Sequence, residues 1–168
     1  LLGNWATDAL VETCADASRE QPDFAICNNG GLRAELPAGD VTRGRIYAVF
    51  PFDNKLSLLE MNGAKLLSLF DYEANYPEPV SAGVSLVIRD GVVESVKLGG
   101  KEIDPNATYK VCTIDYLSNS NRYCLGEYLS RKDSEEYLYD LFCDHVGKLT
   151  AAGKNVTSSL DSRVTVIE

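Results

Sequence analysis

Gly83-Val84-Ser85-Leu86-Val87-Ile88-Arg89-Asp90-Gly91-Val92-Val93-Glu94-Ser95-Val96-Lys97-Leu98 is the stretch that decides the fold class. Apolar and polar side chains alternate through 83–89 and again through 92–98, the pattern of strands with one buried face. Asp90-Gly91 stands between them, and a two-residue hairpin turn needs positive φ at its centre, which these two residue types tolerate best. Antiparallel pairing is therefore expected here. Residues 101–103 extend that sheet after Gly99-Gly100, and 109–116 read as a further strand after the Asp104-Pro105-Asn106 turn.

Working outward, Leu2, Trp5, Ala9, Leu10, Cys14 and Ala17 recur at helical spacing and predict an amphipathic helix over 2–17. An apolar run at 24–27 reads as a buried strand that stops at Asn28-Asn29-Gly30-Gly31, residues suited to a left-handed or tightly turned backbone. Thr42 is placed to cap a short helix through Phe50, ended by Pro51 because the residue before proline is pushed out of the helical region. Residues 56–61 are strand-like, and Asn62-Gly63 turns into a helix over 64–74 with Leu66, Leu67, Leu69 and Phe70 inward. Asp133-Ser134 is read as the start of a helix over 134–150 whose inward stripe is Tyr137, Leu138, Leu141, Phe142, His145 and Val146. A strand over 163–167 closes the chain. Hairpins and helices without strict alternation predict a single α+β domain with a mixed or antiparallel sheet.

The length of 168 residues and 45% hydrophobic content suit one domain with its own core. With 25 acidic against 16 basic residues the formal charge is −9, which repels nucleic-acid polymers and anionic lipid at long range. A compact anion remains compatible, since a few arginines in a cleft dominate at close range. The five cysteines, at 14, 27, 112, 124 and 143, form neither a C-x-x-C pair nor a disulfide framework. Cys14, Cys27 and Cys112 fall among apolar residues and are expected to be buried thiols. No run of 18 apolar residues and no signal-peptide pattern is present. The opening Leu1-Leu2-Gly3-Asn4 without methionine reads as a fragment or trimmed chain. Asn106-Ala107-Thr108 and Asn155-Val156-Thr157 are glycosylation sequons that carry meaning only in a eukaryotic source.

Metal-dependent hydrolysis needs several His, Asp or Asn ligands, and the sequence has one histidine, His145, expected to pack on the inner face of its helix. A Walker-type loop, a G-x-G-x-x-G fingerprint and a serine nucleophile elbow are all missing. What remains has the character of a binding site. Cys27-Asn28-Asn29-Gly30-Gly31-Leu32-Arg33 puts an amide, a side-chain-free turn and a guanidinium after a buried strand end. Such a turn lets a ligand approach main-chain N–H groups, and Arg33 can grip a phosphate or carboxylate through paired hydrogen bonds. Taken alone, the motif is more often simply a strand-to-loop turn.

Together with Pro51-Phe52-Asp53-Asn54 and Asp115-Tyr116-Leu117-Ser118-Asn119, this motif resembles the C-terminal domain of the 5′-nucleotidase family, which includes ecto-5′-nucleotidases, bacterial UDP-sugar hydrolases and 2′,3′-cyclic phosphodiesterases. Leu2-Gly3-Asn4 with Asp8-Ala9-Leu10, Asn62-Gly63, Asp104-Pro105 before Tyr109-Lys110-Val111, and Asp161-Ser162-Arg163-Val164 follow in family order. The resemblance implies a domain that docks a nucleotide or nucleoside while a separate calcineurin-like metallophosphoesterase domain, fused or on another chain, holds divalent metals such as Zn or Mn and performs the hydrolysis. It implies that Phe52 and Tyr116 sandwich the base, that Asn28 meets the ribose or phosphate region, and that Arg33 contacts the phosphate or the nearby ribose. Gly30 and Gly31 would border the ligand. The chain itself would hold neither metal nor catalytic group, would touch no membrane, and would work in the periplasm or outside the cell.

Two positions depart from the family pattern. The loop after the second aromatic, normally of Gly-Gly-Asp-Gly-Tyr type, is Ser120-Asn121-Arg122-Tyr123 and is shorter by about one residue. The family's base- or ribose-contacting Asp is replaced by Asn121 if Tyr123 is aligned, or by Arg122 if Tyr116 is. An arginine that some members carry before the first helix corresponds to Leu1. Arg43 and Arg45, on the short helix near Phe52, are expected to be solvated, as is the charged run through Arg131-Lys132-Asp133 and Glu135-Glu136. Two other readings are open at this point: a stand-alone nucleoside or nucleotide-sugar binding module, and a protein-interaction domain that has lost the ligand site.

Overall fold

A computed structural model describes residues 1–121 and 124–168. The first helix, α1 (Leu2–Ser18), buries Trp5, Ala6, Ala9, Leu10 and Cys14 along one stripe and ends at Arg19, whose left-handed φ of 58° stops the helical run. β1 (Phe24–Ala25) follows, then the short helix α2 (Arg43–Val49), whose start is capped by Thr42 Oγ1 accepting the Arg45 amide. β2 (Lys55–Asn62) runs directly into α3 (Gly63–Glu73), with the Asn62 side chain capping the Lys65 amide. Glycine is required at that junction because a Cβ on Gly63 would lie 1.9 Å from the Asp104 carbonyl oxygen.

The hairpin forms as its sequence dictates: β3 (Val84–Arg89) and β4 (Val92–Leu98) pair antiparallel, with Asp90 and Gly91 both at positive φ. β5 (Lys101–Glu102), β6 (Thr108–Ile114), the short α4 (Asp115–Ser118), β7 (Ser130–Tyr137), α5 (Leu138–Ala151) and β8 (Val164–Ile167) complete the fold. Two four-stranded mixed sheets result, ordered β1-β6-β2-β7 and β5-β4-β3-β8. Each has one parallel pair, β1 with β6 and β3 with β8. The Ile26–Val80 bridge and the Ser81 amide, which donates to the Ala25 carbonyl, tie the first sheet to the segment that leads into the second.

α1, α2 and α5 gather on the first sheet around an aromatic knot, in which Phe142 lies 4.4 Å from Phe50 and 5.4 Å from Trp5, centroid to centroid. Burying rings of this size supplies roughly 2–3 kcal/mol each, so this knot is a main source of the packing that holds the strand ends in place.

Three sequence expectations are overturned. Residues 130–137 are strand, not the start of a helix: Lys132 pairs with Leu58 of β2, and α5 begins only at Leu138, with no side-chain cap. The polar run Arg131-Lys132-Asp133-Ser134-Glu135-Glu136 is the outer edge of a sheet, where charged side chains keep the open backbone from pairing with another chain. Arg131 is not merely solvated; it forks Asp133 at 2.7 and 2.8 Å and reaches Asn119 at 2.6 Å. The strand expected over 109–116 ends at Ile114, and Asp115 and Tyr116 begin the helical turn α4. Cys14, Cys27 and Cys112 are buried and free, and Cys143 is buried as well. His145 packs in the interior face of α5, where burial lowers its pKa.

Candidate functional site

Sheet register assembles the site. β1 runs parallel to β6 and β2 runs antiparallel to it, with Ala25 opposite Cys112 and Leu56 opposite Ile114. The chain therefore leaves β1 and β6, and enters β2, at the same end of the sheet. Asn28, Asn54 and Tyr116 are carried by those three strand ends. They line a cleft of about 400 Å³ together with Gly30, Gly31, Arg33 and Phe52.

Asn28 is extended (φ −94°, ψ 140°), and Asn29–Gly31 form one tight turn closed by the Gly31 amide on the Asn28 carbonyl at 3.0 Å. Neither Gly30 nor Gly31 uses positive φ. What Gly31 supplies is room, since a Cβ there would sit 2.9 Å from Asn28 Oδ1. The amides of Asn29, Gly31, Leu32 and Arg33 are already spent on Glu78, Asn28, Asn29 and Val49. This corrects the expectation of a turn open to a ligand through its main chain: recognition at this wall falls mainly to side chains. Asn28 is buried, and its Oδ1 has no hydrogen-bond partner.

Arg33 spends Nη1 on the Gly30 carbonyl at 3.3 Å and places its guanidinium 5.9 Å from the centroid of the Phe52 ring. Phe52 is 45% exposed and Tyr116 54% exposed, so both rings face the cleft and not the core. The Phe52 segment is braced on its far side, where Tyr139 Oη donates to Asp53 at 3.1 Å and the Leu138 amide to the Asn54 carbonyl at 2.8 Å. Burial, with the Asp53 carboxylate adding to it, pushes the Tyr139 phenol up to about 12. Cys27, just behind Asn28, is likewise driven up to about 12, first by burial and then by Glu78.

Six of the seven residues named from the sequence thus meet in one cleft. Asn121 is not among its lining residues; its side-chain oxygen is turned against Gly126. Arg122 and Tyr123 lie outside the described residues. Asn54 also lines the cleft; it belongs to the quoted Pro51-Phe52-Asp53-Asn54 motif, but its polar side chain gave no signal of its own. Arg43 is exposed and Arg45 half-buried, and both are engaged elsewhere, Arg43 with Asp140 and Tyr47 and Arg45 with the Asp40 carbonyl. A larger groove of about 760 Å³ between residues 36–41 and the end of α5 has no aromatic lining and only Asp40 and Lys154 as charged groups. Among the described residues no three His, Cys, Asp or Glu side chains converge on a metal position, and no helix is long and apolar enough to cross a membrane.

The mixed-sheet α/β fold, with a ring-lined cleft at its strand ends, is that of the C-terminal domain of 5′-nucleotidases. The family model described as 5′-nucleotidase, C-terminal domain, matches residues 1–124, and the chain belongs to that family. It is 37% identical over 101 residues to a Vibrio cholerae 5′-nucleotidase, covering 57% of this chain and 18% of the relative. It is 35% identical over 115 residues to protein UshA of Yersinia enterocolitica, covering 64% and 20%. Among solved structures, the 5′-nucleotidase precursor of Thermus thermophilus superposes with a TM-score of 0.85 at 25% identity, over 99% of this chain and 35% of that one. The NAD nucleotidase of Haemophilus influenzae shares the fold, with a TM-score of 0.71 at 22% identity over 97% of this chain and 33% of that one. The chain spans about a fifth of the length of the curated relatives it matches.

Proposed function

We propose that this domain recognises a nucleotide or nucleoside, stacking its base between Phe52 and Tyr116 and presenting the phosphate ester to a dinuclear metal site on a separate metallophosphoesterase domain, fused or on another chain. The observation that carries this reading is the meeting of Phe52, Tyr116, Arg33 and Asn28 in one cleft from three separate segments. Aromatic stacking suits any base, because every base has a π face, and is worth roughly 1–3 kcal/mol. Arg33 has donors left for a phosphate or ribose oxygen after its bond to Gly30. The unpaired Asn28 oxygen accepts and does not donate, so it favours a ribose hydroxyl over a phosphate oxygen.

The metal ions supply an activated nucleophile and charge neutralisation. On this reading the chain's own share of the work is binding and orientation. Holding a reactant in attack geometry lowers a barrier by several kcal/mol, of order 7 in favourable cases. The names of the similar proteins support nucleotide chemistry.

Calorimetric titration of the chain with adenosine, AMP, UMP and UDP-glucose tests this reading, and binding of at least one of these is expected. AMP incubated with the chain and Mn²⁺ or Zn²⁺ is expected to release no phosphate until a metallophosphoesterase domain is added. Absence of binding to all four compounds, or turnover by the chain alone, overturns it.

A further inference from the structure

Glu73, the last residue of α3, is fully buried. Its Oε2 accepts the amide of Glu78 at 2.5 Å, and its Oε1 is buried with no hydrogen-bond partner. Glu78 turns its own carboxylate to the turn that follows Asn28, where Oε2 accepts the amide of Asn29 at 2.7 Å. Two more bonds join the same segments: Asn29 Nδ2 donates to the Pro77 carbonyl at 3.4 Å, and the Cys27 amide to the Pro79 carbonyl at 3.1 Å. Residues 77–79 therefore clamp the turn that carries Asn28 and Gly31, and a buried acid stands behind the clamp.

A carboxyl in this position is costly to ionise. It has no hydrogen-bonded cation to offset its desolvation, and its negative charge would oppose the carboxylate of Glu78, whose amide it holds. Resting on the reading of this cleft as a nucleotide site, we propose that Glu78 is a positioning residue for ligand binding, and that its clamp on Asn29 is set while Glu73 is uncharged and slackens when Glu73 ionises.

The electrostatics agree with the geometry. Burial, opposed by the Glu78 amide and reinforced by the Glu78 charge, pushes Glu73 up to about 8. Below that pH the carboxyl is neutral and the clamp holds; above it two like charges face each other. Cys124, which also faces Glu73, is raised by burial above its ordinary 9.0, and Cys27, which faces Glu78, lies at about 12. Both thiols ionise above the window in which Glu73 does.

The test uses the ¹⁵N-labelled chain and adenosine, a ligand uncharged from pH 6.5 to 9. The Asn29 amide resonance is expected to titrate with a midpoint near 8 in the wild type and to be flat in Glu73→Gln. Adenosine affinity is expected to fall about tenfold between pH 7 and 9 in the wild type, matching loss of a charge-assisted hydrogen bond, and to stay constant in Glu73→Gln. Glu78→Ala should weaken adenosine about tenfold at pH 7, and Glu78→Gln, whose amide oxygen still accepts the Asn29 N–H, should restore part of the loss. A wild-type Asn29 amide that ignores pH overturns the clamp whether or not adenosine binds. Normal adenosine affinity in both Glu78 variants overturns the positioning role. Failure of adenosine to bind the wild type counts against the functional reading instead, and the Asn29 titration then still decides the clamp.

Discussion

Arg163 grips Asp8 across 155 residues of chain, its Nη1 and Nη2 donating to the two carboxylate oxygens at 2.8 and 3.1 Å. The same guanidinium holds Asp161 at 2.6 and 2.7 Å and the Val80 carbonyl at 3.0 Å, with only 5% of the side chain exposed. One side chain therefore fastens the first helix, the second sheet and the bridge between the sheets. Arg163→Met is expected to cost about 3 kcal/mol, the low end for a broken buried ion pair because Asp8 and Asp161 are 37% and 38% exposed. Urea denaturation at neutral pH measures this, and a change below about 1 kcal/mol would contradict it.

Phe52 and Tyr116 are about half exposed, so their removal should leave folding intact. Phe52→Ala and Tyr116→Ala are each expected to weaken adenosine binding by roughly 1–3 kcal/mol with little change in Tm. Unchanged affinity in both variants rules out the stacking geometry.

Gly31→Ala places a methyl 2.9 Å from Asn28 Oδ1, closer than the two atoms tolerate, and the Asn28 side chain must move. Ligand affinity should fall at least about fivefold, at a stability cost of about 1–3 kcal/mol, as expected of modest overpacking. Calorimetry paired with thermal unfolding separates the two effects, and full affinity in this variant would show that Asn28 makes no contact with the ligand.

Glu20 bridges two strands, accepting from Lys110 Nζ at 2.6 Å and from Lys132 Nζ, and these bonds, Lys110 first, draw its carboxyl from 4.5 down to about 2. A lowered folded-state pKa contributes stability above the unfolded value, and that stability is lost as pH falls toward 2. Glu20→Gln should therefore lower the urea midpoint at pH 6, with the gap to the wild type closing as the buffer is taken to pH 3. A gap that is constant with pH would mean that the ion pairs contribute nothing.

The elements that could be read in advance are those whose signals are local. The Asp90-Gly91 turn, the Thr42 and Asn62 caps and the apolar stripe from Trp5 to Cys14 each announce themselves within a few residues. β7 could not be read this way. It owes its extended form to pairing with β2, more than seventy residues earlier, while Asp133-Ser134 has the composition of a helix start and the true start at Leu138 has no capping side chain. The aromatic and arginine walls of the cleft were legible as motifs. The bracing by Glu73, Glu78 and Tyr139 was not, because those side chains meet the site only through tertiary contact.

The parallel pairing of β1 with β6 has one more consequence. Since three chain segments far apart in sequence each contribute a single wall, natural variation can rewrite one wall without disturbing the others or the sheet beneath. On the proposed reading, a change at Tyr116 alters one wall of the cleft, while the glycine corner and Phe52 keep the other two. Such a layout separates the evolution of selectivity from the evolution of stability.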